Sequence, residues 1–436
     1  MNKIIIDLSE ANLSRYKIPD IQADYADAAK VSLRLLDLAP SEVVIPLWAT
    51  IYLSVLCEFF MLAEIPPAFV IWLHGLTGSF KSTLAALFLG HFGEFTNKTL
   101  PANFKDTAAT LEKKAFLVKD SVLVIDDYHP VASGYEATEM RTKAQFILRA
   151  YGDLAARGRM DQKAMLRKAY VPRGLCIVTG EDTPNVGQSA AARYLGIAVE
   201  KGDIDIGLLS DLQREQYQLS VAMRGYIEYI TDMIHLLPDM LKNKFIELRS
   251  RASSEAQHSR IPETIAWLQI GFCMGMEYAE SIGAINVSQK EDLINKSWDV
   301  LITLAENQAE IISEEKPTNL FVKAVQEMFD AKTIYVTNIK EYDIGSNPAS
   351  GESVGYVDEK YFYFFPGTIY RCAVEFSRLQ NYNFPVSDKV LWKNLKNEGF
   401  SETEKDKTRE YNLKQICFPN GSKKRMLVIN KSCFES

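Results

Sequence analysis

The segment Gly75–Thr83, GLTGSFKST, lies between an apolar run, Phe69–Leu73, and a helical stretch opened by Lys81, Ser82 and Thr83. A strand, a glycine loop and a helix in direct succession point to one architecture: a buried strand with a helix returning across the sheet. The pattern recurs downstream. The apolar runs Val122–Ile125, Leu175–Val178 and Gly196–Val199 are short and separated by helical stretches. Together they predict an α/β layer built on a parallel sheet.

The loop also carries a chemistry. Glycines let the backbone wrap tightly and aim N–H groups at phosphate oxygens, and a helix N-terminus adds favourable partial charge. Gly75, Leu76, Thr77, Gly78, Ser79, Phe80, Lys81, Ser82 and Thr83 follow the spacing G-x-x-x-x-G-K-[ST] except at Phe80, which stands where the last glycine belongs. A phenylalanine adopts positive φ only at a cost, so this is a real departure. In such a loop Lys81 reaches the β- and γ-phosphates of ATP, and the Ser82 hydroxyl completes a Mg2+ shell. The run SVLVIDDYHP has the form of a Walker B strand, delivering Asp126 to the magnesium and Asp127 to the attacking water. His129 reads as a loop residue without chemistry. The strand in RGLCIVTGED ends in Thr179, a polar sensor of the γ-phosphate or else a threonine capping a strand.

The rest of the chain sets the context. Its 436 residues suggest two or three domains, and its net charge of −7 excludes a basic nucleic-acid coat, so any DNA surface must be local. The six cysteines form no CxxC pair, which argues against zinc and fits unpaired thiols in a cytoplasmic protein. No signal peptide is expected at the N-terminus. Val43–Phe60, VVIPLWATIYLSVLCEFF, is almost long enough to span a bilayer, but Pro46, Glu58 and the missing basic flanks make it a buried core helix and leave no membrane partner. The expected domains are an N-terminal arm at 1–40, an ATPase core at 41–207, a helical lid at 208–312 and a winged-helix-like module at 319–436. A capping box, Ser288 with Glu291, starts one lid helix, and the polar stretch 313–319 reads as a linker. The C-terminal module shows a strand at 361–366, a helix through Arg378, another at 387–397, and a hairpin about the Pro-Asn-Gly-Ser turn at 419–422. The aromatics at 361–365 read as core strand, not as a base-stacking platform.

HGLTGSFKSTLAALFLG, VLVIDDYHP, the ARGRM segment and RGLCIVTGED followed by SAAARYLGIAVE together resemble the domain-of-unknown-function family numbered 927. These are AAA+ ATPases of plasmids, prophages and chromosomal mobile elements, whose relatives resemble MCM-type replicative helicases. The resemblance covers roughly residues 35–235. It implies a P-loop AAA+ core, a hexameric homo-oligomeric ring, DNA as partner and, in some systems, a separate primase. It puts Arg193 at the arginine-finger position, acting on the ATP of a neighbouring subunit, and gives the sensor-2 contact with nucleotide to Arg214 or Arg224.

Charge distribution supports DNA independently. Between Arg141 and Gly174 nine basic residues stand against two acids, net +7 in a chain of −7. In MCM-like enzymes this is where a hairpin lines the channel. Lys163, Arg167 and Lys168 are the candidates for it, with Arg157 and Arg159 for DNA contact or a subunit interface. Residues 387–431 carry eleven bases against six acids, with Lys423, Lys424 and Arg425 at the hairpin. In a winged helix that hairpin would touch the DNA backbone. The reading is therefore an ATP-dependent helicase on single-stranded DNA, serving replication of a mobile element. Its rivals are a DNA-binding initiator or loader without processive unwinding, and an ATP-dependent protein remodeller.

Overall fold

The computed structural model describes residues 13–434, apart from 22, 130–133, 157, 159–168, 185–186, 256–259, 342–350, 381–383, 406–409 and 419–420. The chain divides into two compact units, Met1–Ile311 and Ile312–Ser436.

The first unit opens with helix α1 (Tyr25–Leu33), whose Asp24 cap accepts the N–H groups of Ala26 and Asp27. The long apolar stretch then folds as two helices, α2 (Ser41–Ser54) and α3 (Cys57–Leu62), rather than one. Every residue from Val43 to Ser54 is buried. The apolar stretch is core, as its interruptions implied, and no described helix is long and apolar enough to cross a membrane. Its polar atoms are satisfied internally. Trp48 Nε1 donates to Ser32 Oγ at 3.1 Å, Tyr52 OH lies 3.0 Å from the same hydroxyl, and His91 Nε2 lies 2.8 Å from it. Buried groups of this kind are tolerated only when each finds a partner.

The sheet follows. Strand β1 (Val70–His74), helix α4 (Lys81–Leu89), strand β2 (Ala102–Asn103), helix α5 (Ala108–Leu117), strand β3 (Lys119–Tyr128), helix α6 (Tyr135–Gly152), strand β4 (Arg173–Gly180), helix α7 (Gln188–Ala191) and strand β5 (Tyr194–Ala198) alternate along the chain. The strand order is β2-β3-β4-β1-β5, and every pair is parallel. The four strands read from sequence are present within a few residues; the two-residue β2 was too short to show a pattern. Because β1 sits between β4 and β5, the last two strands in sequence, the order reverses there. A crevice opens at such a switch point, outside the carboxyl ends of the strands.

Beyond the sheet the chain is helical: α8 (Ile206–Arg214), α9 (Gln216–Asp232), α10 (Leu237–Glu255), α11 (Ile261–Ser281) and α12 (Val287–Glu314). The capping box at the start of α12 is not Ser288 with Glu291. Asn286 and Gln289 fill it, each side chain accepting the other's backbone N–H, at 2.9 and 3.0 Å. The motif sits two residues earlier because Ser288 is already inside the helix.

The second unit begins at Ile312, within the last turn of α12, and only Glu315 and Lys316 separate α12 from helix α13 (Pro317–Asp330). After α13 come strands β6 (Ile334–Asn338), β7 (Glu352–Val357) and β8 (Tyr361–Phe364), helices α14 (Pro366–Leu379) and α15 (Asp388–Asn397), short strands β9 (Ser401–Glu402), β10 (Glu404–Lys405) and β11 (Glu410–Tyr411), and the hairpin of β12 (Lys414–Cys417) with β13 (Lys423–Asn430). The hairpin register pairs Cys417 with Lys423. Three helices pack on its sheet, through Phe321 and Val325 of α13, Ile369 and Ala373 of α14, and Leu391 and Leu395 of α15. Strands β6 and β7 add to it from an insertion the sequence did not announce. The aromatics of β8 divide by strand period. Phe362 and Phe364 stack in the core with centroids 5.5 Å apart, whereas Tyr363 turns away and donates to Asp358 at 2.6 Å.

Candidate functional site

The crevice at the carboxyl end of β1 holds the glycine loop, and α4 starts directly from it. The loop is shaped by three residues at positive φ: Gly75 at 149°, Gly78 at 87° and Phe80 at 64°. At Gly75 only glycine fits, since a β-carbon there would lie 2.2 Å from the Val199 carbonyl oxygen beyond β5. Phe80 adopts the left-handed conformation expected of the glycine it replaces, with its ring 46% exposed. The loop geometry is thus conserved at the expense of strain in one residue.

Lys81 folds back along the loop. Its ammonium donates to the carbonyls of Gly75 (2.7 Å) and Leu76 (3.0 Å) and to Ser79 Oγ (3.1 Å). Burial lowers its pKa, against the pull of Glu181 and Asp126. Three side chains from three different elements then converge. Ser82 Oγ at the start of α4 donates to Asp126 Oδ1 at 2.6 Å, and Thr179 Oγ1 at the end of β4 donates to the same oxygen. Asp127, in the left-handed region at φ 69°, turns outward, with its N–H 3.4 Å from Thr179 Oγ1. The register of β1 with β4 makes this possible, because Thr179 lies opposite Leu73, one residue before the loop's strand ends. Lys81, Ser82, Asp126, Asp127 and Thr179 are therefore assembled at one edge of the sheet. Thr83 is the third residue of α4.

Two residues of this edge were not singled out from sequence. Glu181, beyond Thr179, accepts a hydrogen bond from Thr77 Oγ1 of the loop, and its other oxygen lies 2.7 Å from His129 Nδ1. The Thr77 bond is the first cause holding the Glu181 carboxyl below its usual range. His129 is thus joined to the loop through Glu181. Nothing in TGED or DYHP announces the pairing, which depends on β3, β4 and β1 ending side by side.

Arg193 lies elsewhere. Its carbonyl accepts from the Val70 N–H, so it sits at the amino edge of the sheet, about 16 Å of strand from the glycine loop. Its guanidinium grips Asp153 by two bonds of 2.9 Å and Ser189 Oγ by one of 2.7 Å, while Arg260 reaches Asp153 from α11 at 3.2 Å. The buried amide of Gln308 braces this segment, donating to the Ala191 carbonyl and accepting from the Gly196 N–H, each at 2.9 Å. Arg224 bonds Glu228 at 2.7 Å along α9 and Asp20 at 3.6 Å, and Arg214 pairs with Asp211; none of these partners belongs to the loop.

Of the DNA candidates, Arg157, Arg159, Lys163, Arg167 and Lys168 lie outside the described residues. Lys423, Lys424 and Arg425 are exposed at the start of β13. There Lys424 lies 5.6 Å from the Phe365 ring and 5.7 Å from Phe418, and Arg425 stands 4.5 Å over Tyr411. Among the described residues no group of three His, Cys, Asp or Glu side chains is arranged to hold a metal. Ser82 and Asp126 form a hard-oxygen pair beside the loop.

Comparison with known proteins adds the fold. No family model matches the chain, and no curated protein does. Among solved structures, one described as "SCCmec type IV Cch - active helicase" is similar with a TM-score of 0.62 at 13% identity, over 97% of this chain and 73% of that one. At that identity the likeness is one of fold. The chain is an α/β protein with a five-stranded parallel sheet, sharing its architecture with that solved structure.

Proposed function

We propose that the chain is an ATP-driven motor on DNA, a replicative helicase or translocase of AAA+ type from a mobile element. One observation carries the nucleotide site: Ser82, Asp126 and Thr179 meet within hydrogen-bond reach beside the Lys81 loop. A hydroxyl and a carboxylate sharing one point fit Mg2+, which takes hard oxygen ligands. Ser82 and Asp126 would hold it, and when bound it neutralises phosphate charge. The loop N–H groups and Lys81 would bind the polyphosphate, Asp127 would orient the attacking water, and Thr179 would sense the γ-phosphate.

Arg193 stands too far from its own loop to serve it, which fits an arginine acting on a neighbouring subunit's ATP, and so a ring. DNA would contact the exposed Lys423, Lys424 and Arg425 and the basic insertion that includes 157–168. The fold likeness to a solved helicase and the resemblance to the family numbered 927 support the same reading. The sensor-2 role of Arg224 and a primase partner belong to that resemblance.

ATP hydrolysis with and without single-stranded DNA, beside Lys81→Ala, tests the proposal. Strong DNA stimulation that the substitution abolishes supports a DNA motor, and strand displacement then separates a helicase from an initiator or loader. Turnover indifferent to DNA, in a protein that fails to bind it, removes the helicase reading.

A further inference from the structure

The turn that follows β5 runs beside the glycine loop. Val199 donates its N–H to the His74 carbonyl at 2.8 Å, and its own carbonyl is the atom that leaves no room for a side chain at Gly75. The next four residues, Glu200–Asp203, form a turn with Gly202 at φ 100°, the left-handed position that a type II turn requires. Asp203 locks it by accepting the Glu200 N–H at 2.8 Å. The residue presented at the second position is Lys201. Its Cε would lie 3.8 Å from a β-carbon built at Gly78, which places the lysine stem beside the middle of the glycine loop. The side chain is exposed, and among the described residues no carboxylate pairs with it.

Charge balance gives this placement a purpose. Asp126, Asp127 and Glu181 put three carboxylates around a loop whose own cation is Lys81 alone. A bound polyphosphate would add further negative charge at the same edge, and Lys81 already divides its three donors among loop atoms. We propose that Lys201 is a second phosphate-binding cation, held over Gly78 by a rigid turn from the strand on the other side of β1. The assignment rests on the nucleotide-site reading above and adds to it a residue outside the glycine-loop motif.

The test is the affinity of the full-length protein for ATP, measured by calorimetry for wild type, Lys201→Gln, Lys201→Arg and Lys81→Ala at low and high salt. Lys201→Gln should weaken binding about three- to tenfold at low salt, and the gap should narrow at high salt. Lys201→Arg should restore most of the loss, and melting temperatures should not move, since the residue is exposed and unpaired. Wild-type affinity in Lys201→Gln, with binding abolished in Lys81→Ala, would overturn the assignment and leave the nucleotide site intact. A loss that ignores salt and is not restored by arginine would overturn it too. If wild type itself binds no ATP, the site reading fails, and the role of Lys201 with it.

Discussion

Replacing Gly75 by alanine perturbs one atom at a place where the structure allows none. The added β-carbon would stand 2.2 Å from the Val199 carbonyl oxygen, and the backbone there has φ 149°. Real β-carbons do not approach below 3.0 Å, so loop and turn must part by at least about 0.8 Å. Neither side yields freely, because Val199 also donates to the His74 carbonyl at 2.8 Å across the same seam. Losing that bond costs about 1 kcal/mol, and the forced backbone conformation adds about 1–3 kcal/mol, for a total of about 2–4 kcal/mol. For a unit of this size that corresponds to a fall in melting temperature of about 3–6 °C. Gly78→Ala is the internal comparison. It meets only Lys201 Cε, at 3.8 Å, and pays the left-handed strain alone, about 1–2 kcal/mol. Thermal unfolding with ATP titration on both variants reads the series. Gly75→Ala should be the less stable and should lose nucleotide binding. A Gly75→Ala protein melting within 1 °C of wild type and binding ATP normally would refute the packing argument.

Other outcomes follow from the same geometry. Phe80→Gly removes left-handed strain at the loss of a half-exposed ring, so stability should hold or rise by about 1 kcal/mol or less, as read by chemical denaturation; a clear fall would mean the ring packs productively. Burial pushes the His91 imidazole down to about 4 from 6.5, so the unfolded chain binds its proton first. The stability this histidine contributes is full above pH 6.5 and is lost as pH falls toward 4, by up to about 3 kcal/mol. Asp120, raised by burial to about 6, works the opposite way, its contribution present below pH 3.8 and lost as pH rises through 6. Denaturation at pH 7 and pH 5 should therefore show a steeper loss in wild type than in His91→Gln. Arg193→Ala should retain ATP binding but lose turnover, and mixing it with Lys81→Ala should restore part of the rate if the arginine acts in trans; no recovery in a mixed oligomer would argue against that.

Much of the glycine-loop site was legible in the chain because it is local. A strand, a glycine loop and a lysine at a helix start are neighbours in sequence, and an acid at the end of a buried strand emerges at the same edge as every other parallel strand. The residues that escaped are those whose role depends on which strands lie side by side. Glu181 and His129 meet only because β3 and β4 are adjacent, and Lys201 reaches Gly78 only because β5 pairs with β1. The cap of α12 was misplaced by two residues because Ser288 and Asn286 both satisfy the local pattern, and only the helix start distinguishes them.

By itself, then, the sequence determined the α/β class and the glycine loop, and it proposed Lys81, Ser82, Asp126, Asp127 and Thr179, residues that the structure brings to one end of the sheet. Apolar periodicity and phosphate-binding residue types are properties of short segments. The tertiary structure alone decided that Arg193 sits at the opposite end of the sheet from that set, paired with Asp153, which Arg260 also grips, and that a turn places Lys201 beside the loop. Those facts belong to strand order and register, which arise from long-range pairing that no local window contains.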